Sequence, residues 1–283
     1  MEKTKKTNPT IRFFKRLKSF HFSRSHYALP YLIMLAVLVM LPLGMMIFNS
    51  FRHDIYGHFT LFNYRQFFRT AGNWQAMWRS LYTAAIVTVA CLILAYPVAF
   101  ILSNPKFNRS TTIIFAFALP MWVNIMLRTI ALRNLFFLMG IDLGYPTVVI
   151  GLIYDFFPFM LLPLYTSLSS IDRSYVEAGS DLGAGAVRNF SKITLPLSVP
   201  GIVSGSILIF MATVSNFAIA DLLGSDIIMF GNVVNLLFRN RRLTGNVGSA
   251  FATILLVIIV ASMLATSRLT RKKGGGTQGG GRL

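Results

Sequence analysis

Acidic residues are scarce in this sequence: nine Asp and Glu stand against 27 Lys and Arg in 283 residues, and charges of both signs make up only 13%. So small a charged fraction excludes an ordinary soluble domain, where the usual share is about a quarter. The single cysteine, Cys91, lies inside an apolar run, which excludes an intrachain disulfide and leaves it the role of a small buried hydrophobe. The four histidines, His21, His26, His53 and His58, have no Cys or carboxylate at metal-ligand spacing, so neither a metal nor a cofactor is expected. No G-x-x-x-x-G-K-[ST] phosphate loop occurs anywhere, and Gly183-x-Gly185 begins a dinucleotide-type pattern only to meet Arg188 where its third glycine should stand. No catalytic set remains. If ATP drives this protein, another chain holds it.

What the sequence does have is apolar length. Hydrophobic residues reach 54% and the mean hydropathy is +0.61. Six runs approach the ~20 residues that cross a hydrocarbon core of ~30 Å: 29–50, 80–102, 111–131, 146–166, 201–223 and 248–267. They predict an all-α, polytopic membrane protein with six transmembrane helices. Pro42, Pro97, Pro120, Pro158 and Pro163 fall inside these runs, which a helix bundle tolerates where neighbours re-satisfy the freed carbonyls. The organisation expected is a basic N-terminal tail (1–28), a membrane domain (29–267) and a glycine-rich tail (268–283).

Charge placement sets the orientation. With the N-terminus inside, two thirds of the Lys and Arg residues fall on cytoplasmic segments, so both termini and the 172–196 connection are expected in the cytoplasm of a cell-membrane protein. The net charge of +18 is spread over tails and connections, which points to the lipid bilayer rather than to nucleic acid. The N-terminal tail suits either an interfacial helix, with Ile11, Phe14 and Leu17 on one face, or a solvated segment. Trp74, Trp78, Tyr56 and Tyr64 in the stretch 51–79 suit an interfacial belt or contact with an outside partner.

Charges inside the runs are rarer, each costing about 2.5–3.5 kcal/mol at the bilayer centre. Asp155 lies near the middle of the fourth run, with Arg128 in the third and Asp221 late in the fifth. One reading pairs Asp155 with Arg128 as a structural ion pair. The other sets Asp155 and Asp221 along a path for a cationic solute, with Trp122, Tyr154 and Tyr165 offering cation-π faces. Gly201-x-x-x-Gly205, flanked by Ser204 and Ser206, predicts close helix packing.

The most ordered chemistry is in the polar stretch from Asp172 to Pro196. Ser174-x-x-Glu177 reads as a capping box opening a helix, Gly183 as a break, and 184–196 as a second short helical stretch ending at Leu195-Pro196. Glu177 and Asp181 share one helical face at i and i+4, a like-charge pair that a basic group should meet, either Arg188 or Lys192 nearby or a separate protein. Glu177-Ala178-Gly179, three residues, Gly183, nine residues, Ile193, one residue and Leu195-Pro196 together resemble the EAA loop of ABC importer permeases. Gly179 in place of the second alanine is the one departure. Leu94-Ala95-Tyr96-Pro97, Pro120-Met121-Trp122-Val123-Asn124, Phe157-Pro158-Phe159, Pro163-Leu164-Tyr165, Asp221-Leu222 and Gly231-Asn232-Val233 look like the spermidine/putrescine branch, its first permease type above all.

The resemblance implies a type I importer fold carrying polyamines. It also implies a second permease subunit, a cytoplasmic ABC ATPase dimer beneath, and an extracytoplasmic solute-binding protein. In such systems the loop transmits force from the ATPase, here through Glu177, Ala178, Gly179, Asp181, Gly183, Ile193, Leu195 and Pro196. The same permease with another solute, or a secondary transporter or channel working without an ATPase, are the alternatives.

Overall fold

A computed structural model describes residues 29–53, 57–104, 112–239 and 241–274. The basic segment 1–28, Tyr56, the connection carrying Lys106 and Arg109, and 275–283 lie outside the described residues. The chain divides into two compact units, one ending at Asn49 and one beginning at Ser50.

The first unit contains α1 (Leu29–Leu35), a π turn (Ala36–Met40) and most of α2 (Leu41–Ser50), a run long and apolar enough to cross a membrane. The π turn has a local cause. Pro42 offers no N–H, and the ladder immediately before it is re-spaced so that Leu41 N–H reaches Ala36 O.

In the second unit the helices are α3 (Phe62–Arg69), α4 (Ala71–Ser103), α5 (Thr112–Ala118), α6 (Ile125–Leu138), α7 (Tyr145–Ser169), α8 (Arg173–Asp181), α9 (Ala186–Asn189), α10 (Leu195–Leu197), α11 (Val199–Val214), α12 (Ala218–Leu223), α13 (Phe230–Arg239) and α14 (Arg241–Gly274). Among the described residues the only β pairing is a single bridge, Arg52 to Phe59. Four segments can span a membrane alone: Pro30–Ser50, Ala71–Ser103, Tyr145–Ser169 and Thr244–Leu264. Two bent pairs complete six, Ala116–Trp122 with Ile125–Leu138 and Ala186–Leu197 with Val199–Val214.

Two breaks in the helices are where the expected boundaries shift. The third run is not one helix over 111–131: α5 tightens to a 3₁₀ turn at Leu119–Trp122 around Pro120, and α6 restarts 104° away. Asn124 makes the restart possible, its side chain accepting the Met126 N–H at 2.8 Å. The fifth run likewise stops at Val214 rather than Leu223. Asn216 Oδ1 then accepts the Ile219 N–H at 3.0 Å and opens α12. At its start α14 is kinked at Thr244 (φ −140°), and at the far end it runs to Gly274 instead of stopping at Ser267, because no glycine or proline lies between the two.

α4, α7 and α11 form the core. At 33 residues α4 is about 50 Å long, and its buried stripe Ala84, Val87, Cys91, Ala95 and Ala99 is small enough for α7 to lie close. Cys91 is fully buried there, as its apolar setting predicts. The Gly201/Gly205 face packs α11 on α7: a methyl at Gly201 would fall 2.5 Å from Ser167 Cβ, and one at Gly205 2.6 Å from Met160 Sδ. A second cluster joins α3, α13 and α14, with Phe67 edge-on to Phe230 and Phe251 at 5.8 and 5.1 Å.

Candidate functional site

The 172–198 segment is built as a folded element. Its cap is Asp172, not Ser174: the Asp172 carboxylate accepts the Ser174 N–H at 2.9 Å while its own backbone is still extended. Ser174 already lies inside the helix, which is why its hydroxyl cannot serve as the cap. That hydrogen bond holds the Asp172 carboxyl below the usual carboxylate range.

α8 closes on Gly183 at φ +79°, with Gly183 N–H donating to Ser180 O at 2.9 Å and Ala184 N–H to Gly179 O at 3.0 Å. These two bonds are the Schellman pattern, and they require a residue that tolerates the left-handed region. The chain then reverses through α9 into a π turn (Phe190–Thr194), which again precedes a Leu-Pro pair, and α10 leads to α11 across a 59° bend.

Asn189 stitches the reversal together. Its amide donates to Val176 O at 3.2 Å and to Ser180 Oγ at 2.9 Å, and it is only 5% exposed. A methyl on Gly179 would fall 2.5 Å from Asn189 Oδ1 and 2.7 Å from Ile193 Cδ1. The departure from a second alanine thus has a steric cause: Asn189 and Ile193 occupy the room. Further contacts fix the loop to α4. Phe190 stands edge-on to Tyr96 and Phe100, each at 5.7 Å; Tyr96 and Ser198 hydroxyls meet at 2.9 Å; Arg173 donates to Asn104 at 3.3 Å.

The outward side of this element is unsatisfied. Glu177, Ala178, Asp181 and Gly183 are exposed, as are Leu195 and Pro196, whereas Ile193 and Gly179 are half-buried. Among the described residues neither acid has an ion pair with Arg188 or Lys192. Leu182 and Val187 are 89% and 81% exposed beside them. A cleft of about 330 Å³ opens between this loop and the ends of α4 and α7, lined by Phe100, Asn104, Arg173, Glu177 and Thr194.

Inside the bundle the charges are handled differently. Asp155 is fully buried, with Arg128 Nη2 at 3.2 Å from Oδ1 and the Thr129 hydroxyl donating to Oδ2 at 2.9 Å. Arg128 is 7% exposed, so it does not reach out to the membrane surface, and its guanidinium lies 6.0 Å from the half-exposed Tyr154 ring. Thr129 was not legible as a partner beforehand; its spacing next to Arg128 was the available signal. Trp122, 88% exposed, marks the break of the third span, and Tyr165 is half-buried on α7.

Residues 107–272 match the family described as binding-protein-dependent transport system inner membrane component. The chain belongs to this family. The permease is 33% identical to the spermidine/putrescine transport system permease protein PotB of Escherichia coli (strain K12), over 74% of this chain and 84% of that protein. It is 34% identical to the protein of the same name from Haemophilus influenzae, where the match spans 56% of this chain and 62% of the relative's length. The inner membrane ABC transporter permease protein YdcU of E. coli is 29% identical, with 79% of each chain covered. Among solved structures, a bacterial alginate ABC transporter in complex with its alginate pentasaccharide-bound periplasmic protein gives a TM-score of 0.68 at 15% identity, over 88% of this chain and 93% of that one. The MetNI methionine ABC transporter gives 0.60 at 15% identity, over 70% and 94%. At such identity the likeness is one of fold. It bears out the all-α importer-permease architecture of a multi-pass membrane protein.

Asp221 of the permease lies apart from Asp155. It hydrogen-bonds Asn232 and lines a cleft of about 550 Å³ at the Ala71 end of α4, with Asp226, Arg79, Asn235 and Arg239. None of Trp122, Tyr154, Asp155 or Tyr165 lines that cleft. The residues expected along one solute path therefore fall in four places: Trp122 at the span break, Tyr154 and Asp155 at the buried pair, Tyr165 eleven residues beyond Tyr154 along α7, and Asp221 in its cleft. Asp226 was missed from sequence because it sits in the short connection after the fifth span, held by Ser225 at φ +51°.

Proposed function

We propose that this permease is one of two membrane subunits of an ATP-driven importer for polyamines, spermidine and putrescine foremost, with its termini and the 172–196 loop in the cytoplasm. A related second permease completes the pathway, two copies of a cytoplasmic ABC ATPase bind beneath, and an extracytoplasmic binding protein delivers the solute. The permease itself carries out no catalysis. The polyamine reading is supported by the identity to the PotB relatives, and the orientation by the Lys and Arg distribution.

The observation that carries the coupling role is the loop: clamped to α4 on one side, it exposes Glu177, Asp181, Leu182 and Val187 on the other. Such a surface suits a basic, partly apolar groove on an ATPase. Glu177, Ala178, Gly179, Asp181, Gly183, Ile193, Leu195 and Pro196 form the coupling element, whose stiffness lets closure of the ATPase rock the spans between inward-open and outward-open states.

For the cargo, ammonium groups leaving water need carboxylates or aromatic faces. Asp221, in its open cleft, receives the solute; exposed Trp122 and Tyr154, with Tyr165, line the way; Asp155 contributes there by neutralising Arg128, whose bare charge beside Tyr154 would repel the ammonium groups. The deciding experiment is Glu177→Lys in the reconstituted four-part system. ATP hydrolysis should persist while spermidine uptake is lost, and normal coupled uptake would sink the assignment. Uptake assays with other solutes, run alongside, separate polyamine transport from the same permease serving another cargo.

A further inference from the structure

The loop is fixed to the bundle by more than the chain leading into α11. Tyr96 and Phe100 stand four residues apart on one face of α4, and both meet the Phe190 ring edge-on, at interplanar angles of 89° and 90°. The Tyr96 hydroxyl also reaches Ser198, which is fully buried and donates to Leu195 O at 3.0 Å. Phe190 opens the π turn, whose extra backbone residue per turn re-spaces the ladder just before Pro196.

We propose that Phe190 is a positioning residue for coupling: wedged between Tyr96 and Phe100, its ring passes displacement of the 172–198 loop directly into α4, the second span. This adds a route beside the covalent one into α11, and it rests on the coupling role proposed above. Without the ring, α8 and α9 would still move with the ATPase, but the direct tie from loop to α4 would be left to the Tyr96–Ser198 and Arg173–Asn104 hydrogen bonds. Phe190 touches neither nucleotide nor solute. Its contribution is the stiffness of the joint.

The test uses the full complex with its ATPase and second permease in liposomes, reading spermidine taken up per ATP hydrolysed. Phe190→Ala should lower that ratio by about tenfold, the scale at which residues along a mechanical link modulate coupling. Phe190→Tyr, which keeps the ring, should retain it. Spin labels at Ser191 and Ile101, both exposed, report the joint itself, and the lone native cysteine, Cys91, is buried. Their separation should stay in one narrow distribution through the ATP cycle in the native chain and broaden in Phe190→Ala.

An unchanged ratio in Phe190→Ala overturns the proposal. So does loss of assembled complex in both Phe190→Ala and the milder Phe190→Leu, since the ring would then serve the fold rather than transmission. Glu177→Lys is the control: if it too remains coupled, the coupling reading beneath fails, whereas coupled Phe190→Ala beside uncoupled Glu177→Lys removes this inference alone.

Discussion

Asp155 and the Glu177/Asp181 pair are carboxylates on two helices of the same bundle, and the protein treats them in opposite ways. Asp155 is taken out of solvent and given Arg128 and Thr129; Glu177 and Asp181 are left at the surface on one face without a cation. A buried charge removes its desolvation cost only by pairing, so Asp155 is committed within this chain. Exposed like charges four residues apart are slightly unfavourable alone and become favourable only against a basic partner. On the coupling role proposed above, the difference separates what holds the permease together from what it offers to another protein.

The largest effect should follow from breaking the buried side. Asp155→Ala strands the Arg128 guanidinium inside the bundle, which should destabilise the fold by about 3–5 kcal/mol and show as loss of folded protein in detergent melts. Adding Arg128→Met should recover much of it, since removing both charges removes the burial cost as well. Wild-type melting in Asp155→Ala alone would mean that the pair is not structural. The contrast with Glu177→Lys, which should leave melting unchanged, is the sharpest form of the comparison.

Next in size is the fit beneath the exposed face. Gly179→Ala places a methyl 2.5 Å from Asn189 Oδ1, an overpacking that should cost about 1–3 kcal/mol. Asn189→Ala in the same chain should give part of it back by opening the space, though with the bonds to Val176 and Ser180 lost. Additive losses in the double variant would show that the two sites do not compete for one volume. Melting of the detergent-purified permease measures both.

How much of this could be read beforehand depended on whether the cause was local. The six apolar runs, the Gly183 reversal and the Gly201/Gly205 packing follow from length, φ preference and side-chain size, and each lies in a short stretch. The breaks at Pro120–Asn124 and Ser215–Phe217 did not, because hydropathy runs through them unbroken and the roles of Asn124 and Asn216 emerge only once the helices part. Asn189 and Phe190 sit among the nine unspecified positions of the loop spacing. Their partners Val176, Ser180, Tyr96 and Phe100 are identified by tertiary contact alone. The same holds for the separation of Asp221 from Asp155, which share a charge in the sequence and no neighbourhood in the fold.

Smaller still is the hydroxyl tie between loop and second span. Tyr96→Phe keeps the ring against Phe190 and removes one hydrogen bond to Ser198, so it should cost about 0.5–1.5 kcal/mol and leave coupling near native. A coupling loss as large as that of Phe190→Ala would shift the joint from the ring to the hydroxyl.

The smallest effect is set by pH at the cap of α8. Asp172 is exposed, and its carboxyl is held below its ordinary range by the Ser174 N–H, so the charged form is the one the folded loop favours. A depressed folded-state value means the cap's contribution is full above the ordinary carboxylate range, near 4, and fades as pH falls through the depressed one. Protection of the α8 amides from hydrogen exchange, referred to pH-corrected intrinsic rates, should therefore hold from pH 7 to about 5 and weaken toward 3. Asp172→Asn, an uncharged residue that still caps, should abolish that dependence while α8 remains formed. An unchanged pH profile in Asp172→Asn would show that the Asp172 cap is not what sets it.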